Sequence, residues 1–214
     1  MRSKDSDVNR PSRSARNPPR DDPPASSPTP LRIIGGMYAR RRLKYTGDVR
    51  TRPMKDRVRE AVFNLVGPSV VGAHAIDLFA GTGALGLEAL SRGAAQATFI
   101  EQHFPTAAVI RENIATLQVA AGTQVVPANT FIWARRLPDL GSTPWVVFCS
   151  PPYDFYVSRA EEIITMLTHL WQAAPAGSTF VVEADERFDF ATLPGPADWD
   201  VREYRPARVG IQRK

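Results

Sequence analysis

Between residues 68 and 214, short apolar runs alternate with longer stretches whose apolar positions recur at helical spacing. The runs lie near 73–78, 96–101, 123–127, 144–149 and 178–183 and read as strands. The helical stretches lie near 83–92, 105–118, 129–136 and 158–172. Trp145-Val146-Val147-Phe148-Cys149 is apolar at every position, the pattern of a strand covered on both faces. Strands alternating with helices predict an α/β fold, a parallel sheet with helices on both sides. The last stretch, 199–212, alternates in the manner of a terminal β-hairpin.

Residues 31–67 precede this 68–214 core and carry a different pattern. Leu31-Arg32-Ile33-Ile34 runs into Gly35-Gly36 and then Arg40-Arg41-Arg42-Leu43-Lys44-Tyr45, which predicts a β-hairpin with a basic second arm. After Pro53, the positions Val58, Ala61, Val62, Leu65 and Val66 predict an amphipathic helix over 54–66. Its apolar stripe centres on Val58 and leaves Arg57, Glu60, Phe63 and Asn64 to one side. Residues 1–30 differ again: seven prolines among Ser, Arg and Asp, with too few large apolar residues to offset the entropy of ordering. The expected organisation is a disordered tail over 1–30 and one domain over 31–214.

Composition narrows the class. With 214 residues, 43% of them hydrophobic, the chain can bury a full core. Its net charge of +5 favours a polyanionic partner without proving one. The arginines of the tail (Arg2, Arg10, Arg13, Arg16 and Arg20) are candidates for an RNA-binding arm. The single cysteine, Cys149, allows no internal disulfide and no zinc site, and His74, His103 and His169 show no ligand spacing. No metal is expected. No apolar run reaches the roughly 20 residues of a membrane span, and the N-terminus lacks the apolar core of a secretory signal. A cytoplasmic protein is expected.

The first chemical signal is a glycine loop. Ala75-Ile76-Asp77-Leu78-Phe79 leads into Ala80-Gly81-Thr82-Gly83-Ala84-Leu85-Gly86 and then a helix, with Glu101 closing the next strand. Glycines allow a sharp turn and close approach to a ligand, and an acid at Glu101 can accept both hydroxyl protons of a ribose. That pattern serves a nicotinamide cofactor or S-adenosylmethionine equally. Asp77 tilts the choice, since its charge would repel a pyrophosphate but suits the cationic amine of a methionine. Asn129, at the end of the third strand, is a candidate acceptor for adenine N6, or else a helix cap.

The second signal follows the fourth strand. Ser150-Pro151-Pro152-Tyr153 stands at its carboxyl end, where open α/β sheets bind ligands. Prolines remove N–H donors and leave carbonyls to face the cleft. Ser150 Oγ and the Pro151 carbonyl can accept from an amino group on a planar ring, Pro152 holds the turn, and Tyr153 offers a stacking face. Arg40, Arg41, Arg42, Arg57 and Arg59 are candidate phosphate contacts, with Phe63 and Asn64 bordering the cofactor or base.

These segments resemble a known family. The stretch Asp77-Leu-Phe-Ala-Gly-Thr-Gly-Ala-Leu-Gly-Leu-Glu-Ala-Leu-Ser-Arg-Gly93 is similar to the cofactor loop of the bacterial 16S rRNA guanine-N2 methyltransferases of the small-subunit methyltransferase D type. So are Arg32-Ile-Ile-Gly-Gly36 and Arg52-Pro-Met-Lys-Asp-Arg-Val-Arg-Glu-Ala-Val-Phe-Asn64, the last being the most specific to that family. The resemblance implies a class I, Rossmann-like seven-stranded sheet, mostly parallel with a reversed last strand. It implies S-adenosylmethionine as donor and 16S ribosomal RNA as substrate, alone or in an assembled or assembling small subunit. One position departs: the family usually carries Asp where this chain has Ser150. A hydroxyl accepts the same hydrogen bond without charge assistance, a loss of about 1–2 kcal/mol or roughly tenfold in rate. Serine also does not readily take up the departing proton. Methylation of cytosine N4 or adenine N6, a nicotinamide-dependent oxidoreductase, and an inactive RNA-binding assembly factor remain alternatives at this point.

Overall fold

The computed structural model describes residues 31–45, 47, 53–196 and 198–214. The tail over 1–30 and Arg52 lie outside the described residues.

The chain forms helix α1 (Asp56–Val66), strand β1 (His74–Asp77), α2 (Ala84–Ser91), β2 (Gln96–Ile100), α3 (Phe104–Leu117), β3 (Thr123–Val126) and α4 (Thr130–Arg135). It continues through β4 (Trp145–Cys149), α5 (Phe155–Ser158), α6 (Ala160–Ala173), β5 (Thr179–Ala184), β6 (Asp200–Tyr204) and β7 (Ala207–Arg213). Every strand predicted between residues 68 and 214 is present. The helix predicted over 158–172 is α6, and the short α5 before it is separated from it at Arg159, φ −139°.

The seven strands form one sheet in the order β3-β2-β1-β4-β5-β7-β6. β1, β2, β3, β4 and β5 pair in parallel, and β7 runs antiparallel to both β5 and β6. This is the class I methyltransferase arrangement with its reversed last strand. Successive strand residues point to opposite faces, so each strand feeds two cores. Val146 and Phe148 join α1, α2 and α3 on one side, while Trp145, Val147 and Cys149 join α4 and α6 on the other. Strand order reverses between β1 and β4, and the crevice beyond their carboxyl ends is where such sheets take ligands.

Residues 31–45 differ from the expected hairpin. They make a single bridge, Arg32 to Arg42, flanked by hydrogen bonds from Ile33 N–H to Arg41 O and from Leu43 N–H to Leu31 O. The N–H groups of Ile34 and Gly35 donate instead to the Glu88 carboxylate on α2, at 2.7 and 2.8 Å. Gly36, at φ 76°, lies so close to α2 that a Cβ there would stand 1.9 Å from the Ser91 carbonyl oxygen. Only glycine fits. Glu88 also pairs with Arg92 at 2.8 Å and stands 3.9 Å from Arg59.

Candidate active site

The cleft at the carboxyl ends of β1 and β4 has a volume of about 740 Å³. Both sequence signals open onto it. Asp77, Phe79, Ala80, Gly81 and Thr82 line one side, together with Glu101; Ser150, Pro151, Pro152 and Tyr153 line the other. Gly83 caps α2 in a left-handed conformation at φ 77°, behind the lining.

The glycine loop is held from beneath. Glu101 accepts hydrogen bonds from Gly81 N–H at 2.9 Å and His103 N–H at 2.8 Å, fixing the loop against the end of β2. A carboxylate oxygen carries two lone pairs, so each oxygen retains one for a ribose hydroxyl. Asp77 is fully buried and accepts from Gly86 N–H at 3.1 Å. Loss of solvent pushes its carboxyl up to about 7, against the Gly86 hydrogen bond and with a further push from Glu101. No cation among the described residues faces it closely enough to enter that balance. A ligand cation placed there would relieve the cost, which fits the amine of S-adenosylmethionine.

The opposite wall contains a residue the sequence reading missed. Glu183, at the end of β5 and 7% exposed, lines the cleft beside Ser150. The Ser150 hydroxyl donates to Glu183 Oε2, and the Tyr153 hydroxyl donates to Oε1 at 2.8 Å. Tyr156 donates to the Glu183 carbonyl at 2.7 Å. The 150–153 turn is thus bracketed by one carboxylate. Its sequence signal was modest: a lone acid inside Thr179-Phe180-Val181-Val182-Glu183-Ala184, at the ligand-binding edge of an otherwise apolar strand.

Cys149 faces the opposite core. Burial pushes its thiol up to about 12, so it is no nucleophile at neutral pH.

Four expected site residues lie elsewhere or do other work. Arg59 is fully buried, not on a phosphate-binding surface: its guanidinium donates to Arg32 O at 2.6 Å, Asp56 at 2.9 Å and Met54 O at 3.1 Å. Burial lowers its pKa, opposed by Asp56 and Glu88. Phe63 is core, its ring 5.4 Å from that of Phe148 with Arg92 stacked over it at 5.0 Å. Asn64 is exposed and outside the cleft lining. Asn129 caps α4, its side-chain oxygen accepting from Phe131 and Ile132 N–H groups, and the cleft is lined by Thr130 instead. Helix α1 does border the cleft, but through Val58, preceded by Pro53, Met54 and Lys55.

Arg40, Arg41, Arg42 and Arg57 are exposed. Arg41 donates to the Thr116 carbonyl at 2.8 Å, and Lys44 pairs with Glu112 at 2.8 Å. Arg187 stands on the cleft rim, paired with Asp185 and Asp154. Among the described residues, no group of three or more His, Cys, Asp or Glu could hold a metal ion. None of the described helices is long and apolar enough to cross a membrane.

The family described as Conserved hypothetical protein 95 matches residues 31–203. The chain belongs to this family. It is 38% identical over 178 residues to Ribosomal RNA small subunit methyltransferase D of Escherichia coli strain K12, covering 83% of this chain and 85% of that protein. The protein of the same name from Haemophilus influenzae is 34% identical over 137 residues, covering 64% of this chain and 70% of its own length. The solved structure of yhhF from Escherichia coli superposes with a TM-score of 0.69 at 33% identity, covering 87% of this chain and 99% of that one. An RNA methyltransferase from Salinibacter ruber, in complex with S-adenosyl-L-homocysteine, shares the fold at a TM-score of 0.55 and 18% identity. Membership removes the oxidoreductase alternative. The Arg32-Ile-Ile-Gly-Gly36 segment and α1 meet around buried Arg59 and Glu88.

Proposed function

We propose that this chain transfers the methyl group of S-adenosylmethionine to the exocyclic N2 of a guanine in 16S ribosomal RNA. The observation carrying this reading is that the glycine loop and the Ser150–Tyr153 turn open onto one cleft. The names of its relatives supply the ribosomal small subunit as the target class.

The donor supplies a methyl carbon on a cationic sulfur; the chain's residues align and shield. Asp77 would hold the donor's amine and Glu101 its ribose, with the loop backbone from Phe79 to Thr82 lining the cleft beside them and Gly83 turning the chain behind it. Ser150 Oγ and the Pro151 carbonyl accept the two N–H groups of the target amine, directing its lone pair toward the methyl carbon. Tyr153, its hydroxyl pinned by Glu183, presents a fixed ring wall to the base. Reaching a base in folded RNA requires that it be exposed or turned out of its stack. Arg40, Arg41, Arg42 and Arg57 then meet phosphates, which position the RNA without reading its sequence.

The test is direct. Small subunits and naked 16S RNA from cells lacking this protein are incubated with the purified chain and S-adenosylmethionine, and nucleosides are identified by mass spectrometry. N2-methylguanosine is expected. Methylcytosine or methyladenine in its place assigns the cleft to another base.

A further inference from the structure

We propose that Glu183 is a positioning residue that receives, through Ser150, the proton released by the target amine. The inference rests on the reading of the cleft as an amino-methyltransferase site and answers the difficulty raised by serine at position 150.

A serine hydroxyl has one proton and two acceptor lone pairs. In this cleft the proton has a partner, since Ser150 donates to Glu183 Oε2. Oγ therefore presents its lone pairs to the cleft and acts there as an acceptor. The geometry depends on the sheet: Val182 pairs with Cys149 in the β4–β5 register, which brings the next residues, Glu183 and Ser150, side by side at the cleft edge. Tyr153 holds the second carboxylate oxygen at 2.8 Å, so Glu183 cannot swing away without losing both hydroxyls. Glu183 is buried, and a charge so placed acts on its hydrogen-bond partners with little screening by water. The hydroxyl thereby gains the charge assistance that serine alone lacks.

The amine lone pair forms the N–C bond to the methyl carbon as the C–S bond breaks, its electron pair remaining on sulfur as a neutral thioether. Nitrogen gains a positive charge and sheds one proton to Ser150 Oγ, while the Ser150 proton passes to Glu183. A methylated neutral amine, an unchanged serine and a carboxylic acid at Glu183 result, and the acid returns its proton to water once the products leave.

The experiment measures single-turnover methylation of small subunits by the full chain, alongside S-adenosylhomocysteine affinity, for wild type, E183Q, E183D, S150A and the S150A/E183Q double variant. E183Q is expected to lower the rate constant by about 10- to 100-fold while KM for subunits and ligand affinity stay within about twofold. E183D, which keeps the charge on a shorter arm, recovers part of the loss. In the S150A background E183Q costs no more than about twofold further, because the route through the hydroxyl is already gone. An unchanged rate in E183Q, a loss confined to KM, or an undiminished loss in the S150A background overturns the relay and leaves Glu183 a bracket for the turn. Should E183Q fail to bind S-adenosylhomocysteine, E183D takes its place in the same cycle, with the same expected non-additivity. A wild-type chain that methylates no base refutes the proposed function instead.

Discussion

Asp77 gives the sharpest quantitative test, because it is an ionisable group whose burial has a readable consequence. Its carboxyl is pushed from 3.8 up to about 7 in the ligand-free protein. That rise corresponds to about 4 kcal/mol disfavouring the charged form. The donor's amine requires the charged form. Below pH 7 a ligand must first displace a proton, so affinity for S-adenosylhomocysteine falls by about tenfold between pH 8 and pH 6. The effect on folding has the opposite sign. Between pH 4 and pH 7 the folded state holds a proton that the unfolded chain has lost, so Asp77 lowers stability as pH rises through that window. Replacing Asp77 by Asn removes both dependences: the variant binds ligand weakly at every pH, and its ligand-free melting temperature at pH 8 equals or exceeds that of wild type. Calorimetric titration at pH 6, 7 and 8, with thermal melts of the ligand-free protein, measures both. A wild-type affinity that is flat across this range refutes the placement of the amine at Asp77.

Three further outcomes are expected. Arg59→Met leaves Glu88 without its fully buried cationic neighbour and should cost about 3 kcal/mol in urea unfolding, without changing the salt dependence of RNA binding. Replacing Arg40 and Arg42 by Ala should weaken RNA binding and flatten its log–log salt slope by roughly 0.7–0.9 per lost phosphate contact, leaving the choice of base unaltered. Asn129→Ala should cost about 1 kcal/mol of stability through the lost α4 cap, with ligand affinity little changed in the same calorimetric titration.

The parts of the fold legible in sequence are those set by short-range pattern. Parallel strands buried on both faces read as unbroken apolar runs, and β1, β2, β4 and β5 appeared where expected. The glycine loop and the Ser150–Tyr153 turn were legible because each couples unusual backbone chemistry to a fixed place after a strand. What escaped was set by long-range pairing. Arg59 sits next to Val58 on α1, and helical spacing alone does not distinguish a solvated arginine from one buried against a glutamate 29 positions away. Phe63 lay off the predicted stripe because α1 buries a wider face, Val58, Arg59, Val62, Phe63 and Val66 together. Around Gly35-Gly36 the expected hairpin is replaced by a single bridge and by N–H groups donated to Glu88, far along the chain. Glu183 became visible as part of the site only when the sheet set β5 beside β4.

The account turns on donor and base meeting in the space between the glycine loop and the Ser150 turn. A crystal structure of the chain with S-adenosylhomocysteine tests this most directly. The ligand's amine is predicted at Asp77, its ribose at Glu101, and its sulfur facing Ser150 across a gap open enough for a planar base. An adenosyl group bound outside this cleft, or a sulfur turned away from Ser150, would contradict it.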